Sequence, residues 1–338
     1  MAALRKAAKK IVQYSGGFGA WHRLRNRECL TVLMFHRVLP LADQTRQGAD
    51  PEYTVTPELL AAVLRFAGRH YTFIGMDELL AARAHGAPLP AYPLLVTFDD
   101  GWRDNLVHAR PVLAAQNVPW LLFAAADAIA APEVWWHEPL EWAVRNGKAD
   151  LAELWGRAKP ETGGAGQDVP GNLLDLLVRF GALSPEHRWA ILGPYADELL
   201  ASAGGRLMLD AAELNDLAKS GTGIGVHGAT HLPLTRLADP ADDMVRARRW
   251  LTANSGTAAG ETISFPHGRY DAGTVSAARD AGFRLMFTSD PVLNRCPGGV
   301  PASDVLGRVP IAAAAVTDDS GRLAPERLAP WLILRERQ

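Results

Sequence analysis

The sequence predicts an α/β fold, a mostly parallel sheet or barrel carrying one helical insertion. Three observations predict it. Short apolar runs alternate with helix-like stretches along most of the 338 residues. Several of those runs stop at polar or titratable residues, as strands do at the rim of a sheet. The alternation then lapses between about 131 and 206, where helical patterns dominate and residues 160–171 form a loose Gly/Pro stretch. The length suits either about two domains or one barrel with insertions.

Each element has a local reason. Residues 30–35 (LTVLMF) form an apolar, strand-like run. Thr56 followed by Pro57 reads as an N-cap with proline at the first helical position, opening a helix to about residue 69. A strand over 71–74 and a helix over 76–84 follow. Residues 94–98 are apolar and halt at a double aspartate. A helix over 105–116 is expected to break or kink near Pro111, which has no N–H to donate. Residues 120–124 are the next strand. Beyond the insertion, Asp210 caps a helix over 210–219. Strands over 223–226, 262–265 and 284–288 then alternate with helices over 240–253 and 272–281. The Ala/Pro-rich segment after Gly307 carries no pattern that places it.

Composition narrows the function. Apolar residues make up 48% and charged residues 21%, a globular balance. Net charge is −2, so no nucleic-acid partner is expected. Cys29 and Cys296 are too few for a disulfide framework or a four-cysteine zinc site, and read as free thiols. No apolar run reaches the ~18 residues of a membrane span. Residues 1–30 hold seven basic groups against the single acid Glu28. No apolar core follows them, so a cleaved secretory signal is not expected, and the predicted location is cytoplasmic, at the inner membrane face. A basic helix over 2–14 either packs on the domain or touches an anionic membrane surface. The expected division is a basic segment over 1–29 and one barrel domain over 30–338, with the insertion at about 131–206.

Four strand ends carry chemistry. Asp99 and Asp100 follow the run ending at Phe98, and the turn at Gly101 can bring both carboxylates to the rim. In parallel α/β folds active sites collect at that rim. His227 and His231, in GVHGATH, are four apart, and one helical turn would put both imidazoles on one side. Imidazole plus carboxylate suits zinc and related divalent ions. In Ser264-Phe265-Pro266-His267-Gly268 the turn can aim a backbone N–H at an oxyanion. His36 closes the first strand and can act as a general acid. Each segment alone also reads as an ordinary polar turn, a chance pair or a structural histidine. Their convergence on one rim is what argues for a site.

Together these residues resemble the polysaccharide deacetylase superfamily, carbohydrate esterase family four, from about residue 30 to 308 without the insertion. The resemblance implies a distorted (β/α) barrel. In the TFDDG segment it makes Asp99 the catalytic base. It makes Asp100, His227 and His231 the ligands of a divalent metal, foremost Zn2+, with Co2+ or Ni2+ as alternatives. Gly228 stands where the family usually has Ser or Thr. The backbone N–H of His267 falls at the family's oxyanion donor. Ser264 stands where the family has an arginine that pairs with the base, and Arg269 or Arg103 is the expected replacement. No histidine follows His267 to serve as the usual acid. Phe35-His36 instead resembles a permuted branch, the exopolysaccharide and poly-N-acetylglucosamine deacetylases, with the acid on the first strand.

The implied activity is removal of an N-acetyl group from an amino sugar of a glycan or its precursor. The rivals are another amide or acyl hydrolase on this scaffold and an inactive carbohydrate-binding protein. Trp135, Trp136 and Trp142 in the insertion are read either as a platform or lid for sugar rings or as the insertion's own core.

Overall fold

Parallel pairing draws the apolar runs into a nearly closed sheet. The computed structural model describes residues 17–131, 135–159, 168–256 and 260–338. Its strands are β1 (Cys29–Phe35), β2 (Arg37–Val38), β3 (Thr54–Val55), β4 (Thr72–Phe73), β5 (Pro93–Phe98), β6 (Trp120–Ala124), β7 (Gly223–Val226), β8 (Thr262–Ser264), β9 (Leu285–Phe287), β10 (Asn294–Arg295), β11 (Val305–Leu306) and β12 (Val309–Pro310). The main sheet runs β1-β5-β6-β7-β8-β9-β11, with β10 antiparallel on the outer side of β1 and β4 along the start of β5. β2 and β3 pair separately beside the rim.

Closure is made by the segment that the sequence left unplaced. β11 pairs in parallel with β9, and β12, a few residues later, pairs in parallel with β1. One short stretch of chain therefore joins the two edges of the sheet and completes the distorted barrel. Bridging both edges leaves no long row of unpaired backbone groups there.

The staves are apolar on both faces because helices cover the outside and side chains fill the inside. β1, β5 and β6 are buried along their whole length. Phe35 stacks on Phe98 at 5.3 Å on the outer face of the sheet, in the core shared with the covering helices. Each such fully buried ring contributes about 1.5–3 kcal/mol relative to exposure. Outside, the helix Pro57–Ala67 starts as expected, with the Thr56 hydroxyl accepting the Leu59 N–H, and buries Leu59, Leu60, Val63 and Leu64. Asp210 caps Ala211–Lys219 in a full capping box with Glu213. The kink near Pro111 takes a specific form: a π-helical turn over Asn105–Ala109 passes into an α-helix over Arg110–Ala115.

The insertion is helical: His137–Arg145, Leu151–Ala158, Leu173–Gly181 and Pro185–Ala203. Leu140, Leu154, Trp155, Leu176, Phe180 and Leu192 give it a core of its own. Trp135 and Trp142 are buried with Trp102, Leu199 and Met208, between insertion and barrel. The platform reading is therefore corrected for these two rings, whose faces are covered by protein and not free for a sugar. Trp136 is half-buried under the Arg188 guanidinium at 4.3 Å. Both cysteines are buried and free. Among the described residues no helix is long and apolar enough to cross a membrane. The basic stretch over 2–14 lies outside the described residues.

Candidate active site

Strand register assembles the site. β1 and β5 pair with Phe35 opposite Phe98, so the residues that follow them, His36 and Asp99, leave the sheet side by side. His36 Nε2 lies 3.9 Å from Asp99 Oδ2. β7 pairs with β6 and β8, which sets His227 next to Ser264. The Ser264 carbonyl accepts from His227 Nδ1 at 2.8 Å, so that nitrogen carries the proton and Nε2 is left as the free donor atom.

The double aspartate works through an unusual turn. Asp100 has φ +78° and Gly101 φ +99°, so the chain turns back and both carboxylates approach His227 Nε2, at 3.8 and 3.4 Å. Side-chain space enforces the glycine: a Cβ at Gly101 would meet Ile129 Cδ1 at 2.9 Å. Trp102 Nε1 donates to Asp100 Oδ2 at 2.9 Å, which leaves Oδ1 toward the histidines. Asp100, His231 and His267 all hold positive φ without being glycine. Such conformations cost roughly 1–3 kcal/mol each and gather at functional sites.

His227 and His231 do converge, but by a different route from the expected helical turn. Residues 227–231 form an irregular loop pinned by Asp243. Asp243 accepts from the Ala229 N–H at 2.8 Å, the Thr230 N–H at 3.1 Å and the Thr230 hydroxyl at 2.9 Å. Gly228 sits in this loop at φ +71°, where a Cβ would lie 3.0 Å from Asp243 Oδ1. A larger residue would crowd the carboxylate that organises the loop, and Thr230 supplies the hydroxyl instead.

Asp100 Oδ1 lies 3.4 Å from His227 Nε2 and 3.2 Å from His231 Nε2, and has no hydrogen-bond partner although it is buried. Ligands about 2.0–2.1 Å from a tetrahedral zinc are about 3.3 Å apart, so these spacings fit a shared cation. One carboxylate and two imidazoles leave further coordination positions open. Burial opposes ionisation of Asp100, but the adjacent His227 and His231 imidazoles outweigh it and hold its carboxyl well below the usual range. Burial lowers His227, yet the Asp99 charge and the adjacent Asp100 carboxylate carry it above its usual value. For His231 burial prevails and the imidazole is held low.

The arginine that pairs with Asp99 is Arg308, which the sequence did not reveal. It lies in the link between β11 and β12, and its side chain is fully buried. Its NH1 and NH2 donate to Asp99 Oδ1 and Oδ2, each at 2.7 Å, and NH2 also donates to Ser264 Oγ at 2.8 Å. Its Nε donates to the Thr288 carbonyl at 2.9 Å. Ser264 therefore occupies the vacated motif position as an acceptor for an arginine arriving from elsewhere. Burial pushes the Asp99 carboxyl up, but the charge of Arg308, then that of His227, brings it below its ordinary value. The expected substitutes are corrected: Arg103 is committed to Glu213 at 2.9 Å, and Arg269 is exposed. No short-range signal marks Arg308, since 209 residues separate it from Asp99.

His267 adopts φ +55° in a 3-10 turn after β8, and its ring packs 4.5 Å from that of His231. His36 is pinned by Asn105, whose side-chain amide donates to its carbonyl at 2.8 Å, and its ring rests 4.8 Å from Tyr53. The Trp135 ring meets that of His231 in a T-shaped contact at 4.7 Å.

Residues 167–286 match the polysaccharide deacetylase family, a span that holds His227, His231 and His267. Among solved structures, the chain is similar to the Streptococcus pyogenes deacetylase PplD in complex with acetate (16% identity, TM-score 0.57, covering 90% of this chain and 98% of that one). It is similar to IcaB from Ammonifex degensii (20% identity, TM-score 0.53, 90% and 97% covered). It is also similar to a de-N-acetylase from Aggregatibacter actinomycetemcomitans (12% identity, TM-score 0.52, 83% and 94% covered). At these identities the likeness establishes the fold. No curated protein sequence matches.

Proposed function

We propose that this chain, a member of the polysaccharide deacetylase superfamily, hydrolyses the N-acetyl group of an amino-sugar residue in a glycan with the help of a divalent cation. The observation that carries the reading is the buried Asp99, clamped by Arg308, 3.8 Å from His227 Nε2 and beside the unpartnered Asp100 oxygen. One carboxylate is thereby reserved for a proton and the other for a cation.

Asp100, His227 and His231 would hold the cation, and their mixed oxygen and nitrogen set suits Zn2+, with Co2+ or Ni2+ acceptable. When bound it supplies Lewis acidity toward the acetyl oxygen and makes water more acidic. Asp99 takes a proton from the attacking water as the C–O bond forms. The His267 backbone N–H donates to the developing oxyanion. His36 delivers a proton to the sugar nitrogen as the C–N bond breaks, giving acetate and a free amine. Arg308 keeps Asp99 ionised and oriented throughout. The placement of His36 at the end of the first strand supports the exopolysaccharide type of substrate, and the likeness to a de-N-acetylase supports removal of an N-acetyl group.

The test is release of amine and acetate from N-acetylglucosamine oligomers with zinc supplied, beside a panel of formylated and otherwise acylated sugars. Asp99→Asn should lower kcat on the order of 10²–10⁴-fold. Preference for another acyl group refutes the acetyl assignment. Sugar binding without turnover by the zinc-loaded chain refutes the enzyme.

A further inference from the structure

Next to the Asp100 centre stands a second group of ring nitrogens, which shares His231 with that centre and adds the His137 and His267 rings, neither of which the mechanism uses. His137 opens the first insertion helix, His231 comes from the loop after β7, and His267 from the turn after β8. One ring nitrogen of each lies within 4.8 Å of the others. His137 is wholly buried, and neither of its ring nitrogens has a hydrogen-bond partner. His231 Nδ1 and His267 Nε2 are likewise buried and unpartnered. A buried neutral imidazole carries one N–H and one lone pair, and leaving both unmet costs about 1–3 kcal/mol per group. His137 leaves both nitrogens unmet, and with one unmet nitrogen each on His231 and on the part-exposed His267 the group calls for a common acceptor of lone pairs.

We infer that His137, His231 and His267 form a second seat for a divalent cation of the zinc type, sharing His231 with the proposed centre. Imidazole is a preferred zinc ligand, and three with an open fourth position make a common coordination set. Trp135 lines the group, stacking on His137 at 4.4 Å and abutting His231 at 4.7 Å. Zinc would draw the donor nitrogens from their present spacing to about 3.3 Å, a movement that side-chain rotation supplies. With both seats filled, His231 bridges through its two ring nitrogens and its remaining N–H proton passes to solvent. The seat also ties the helical insertion to the barrel rim, because His137 is the insertion's own contribution.

The test uses the full chain. Asp100→Asn combined with His227→Ala dismantles the first seat and spares the three imidazoles. After incubation with zinc and removal of excess, this double variant should retain about one zinc per chain by elemental analysis, and adding His137→Ala should abolish it. Cobalt substitution of the double variant should give a visible d–d band that the triple variant lacks. A folded double variant without zinc overturns the inference, as does a triple variant that keeps it. If circular dichroism shows the double variant unfolded, titration of the unaltered chain decides: two zinc ions at saturation, falling to one in His137→Ala, support the seat, and saturation at one overturns it. A chain that binds one zinc and deacetylates, with none on the double variant, loses this seat and keeps the proposed function.

Discussion

Arg308→Ala is the most informative single change. The guanidinium is fully buried and makes two 2.7 Å contacts to Asp99, with Ser264 and Thr288 as further acceptors. Removing one partner of a buried ion pair costs about 3–5 kcal/mol, because the other charge stays behind unpaired. At about 2–4 °C per kcal/mol for a chain of this size class, Tm should fall on the order of 10 °C. The pH dependence has a definite sign. Arg308 holds the Asp99 carboxyl below its ordinary value, so its stabilisation is present above the unfolded carboxyl range and is lost as pH falls through the folded value. The Tm gap between the two proteins should therefore be widest near neutrality and narrow on acidification. Without Arg308, burial dominates Asp99 and raises it, so the acid limb of kcat/KM should move to higher pH. Arg308→Lys should restore part of the charge without the bidentate geometry and fall between the two. Thermal melts across pH and the pH profile of deacetylation measure both effects. An Arg308→Ala protein with unchanged Tm and an unmoved acid limb would refute the pairing argument.

Three further outcomes follow from the geometry. Zinc must displace a proton from His227, which the Asp99 charge and the adjacent Asp100 carboxylate raise above its usual value after burial is offset; zinc affinity should thus fall as pH drops through that raised value, and calorimetric titration across pH shows it. His36→Asn should lower kcat on the order of 10²–10⁴-fold while zinc content stays at the level of the unaltered chain, so a loss of zinc would contradict its placement outside the cation site. Gly228→Ser, which brings the chain nearer the family's pattern, should destabilise it by roughly 1–2 kcal/mol, because φ is +71° and the new Cβ crowds Asp243; a raised Tm would show that the loop prefers the hydroxyl.

Much of the site was legible because it lies at strand ends. Phe35 and Phe98 end apolar runs, and parallel register alone puts His36 beside Asp99. The helical turn expected for His227 and His231 failed because local spacing cannot reveal Asp243, which holds the loop from a different helix. Arg308 was hidden for a related reason. β11 and β12 are two residues each, too short for any periodicity to show, and their pairing is set wholly by the sheet edges they join. Trp135 carried aromatic chemistry that suits sugars equally well, and only packing shows that its ring is spent on His137 and His231. Contacts between elements distant in the chain are the common cause.

The closure of the barrel by β11 and β12 has a consequence in time. Asp99 leaves the ribosome 209 residues ahead of Arg308, an interval of roughly 10–40 s at ordinary rates of synthesis. Throughout that interval the nascent sheet has an open edge, and Asp99, the proposed base, lacks its arginine partner. The last stave delivers both remedies in one docking event. The paired Asp99–Arg308 arrangement therefore arrives abruptly and late, and a protein nicked ahead of Val305 would keep its candidate cation ligands while losing the charge that holds Asp99 ionised.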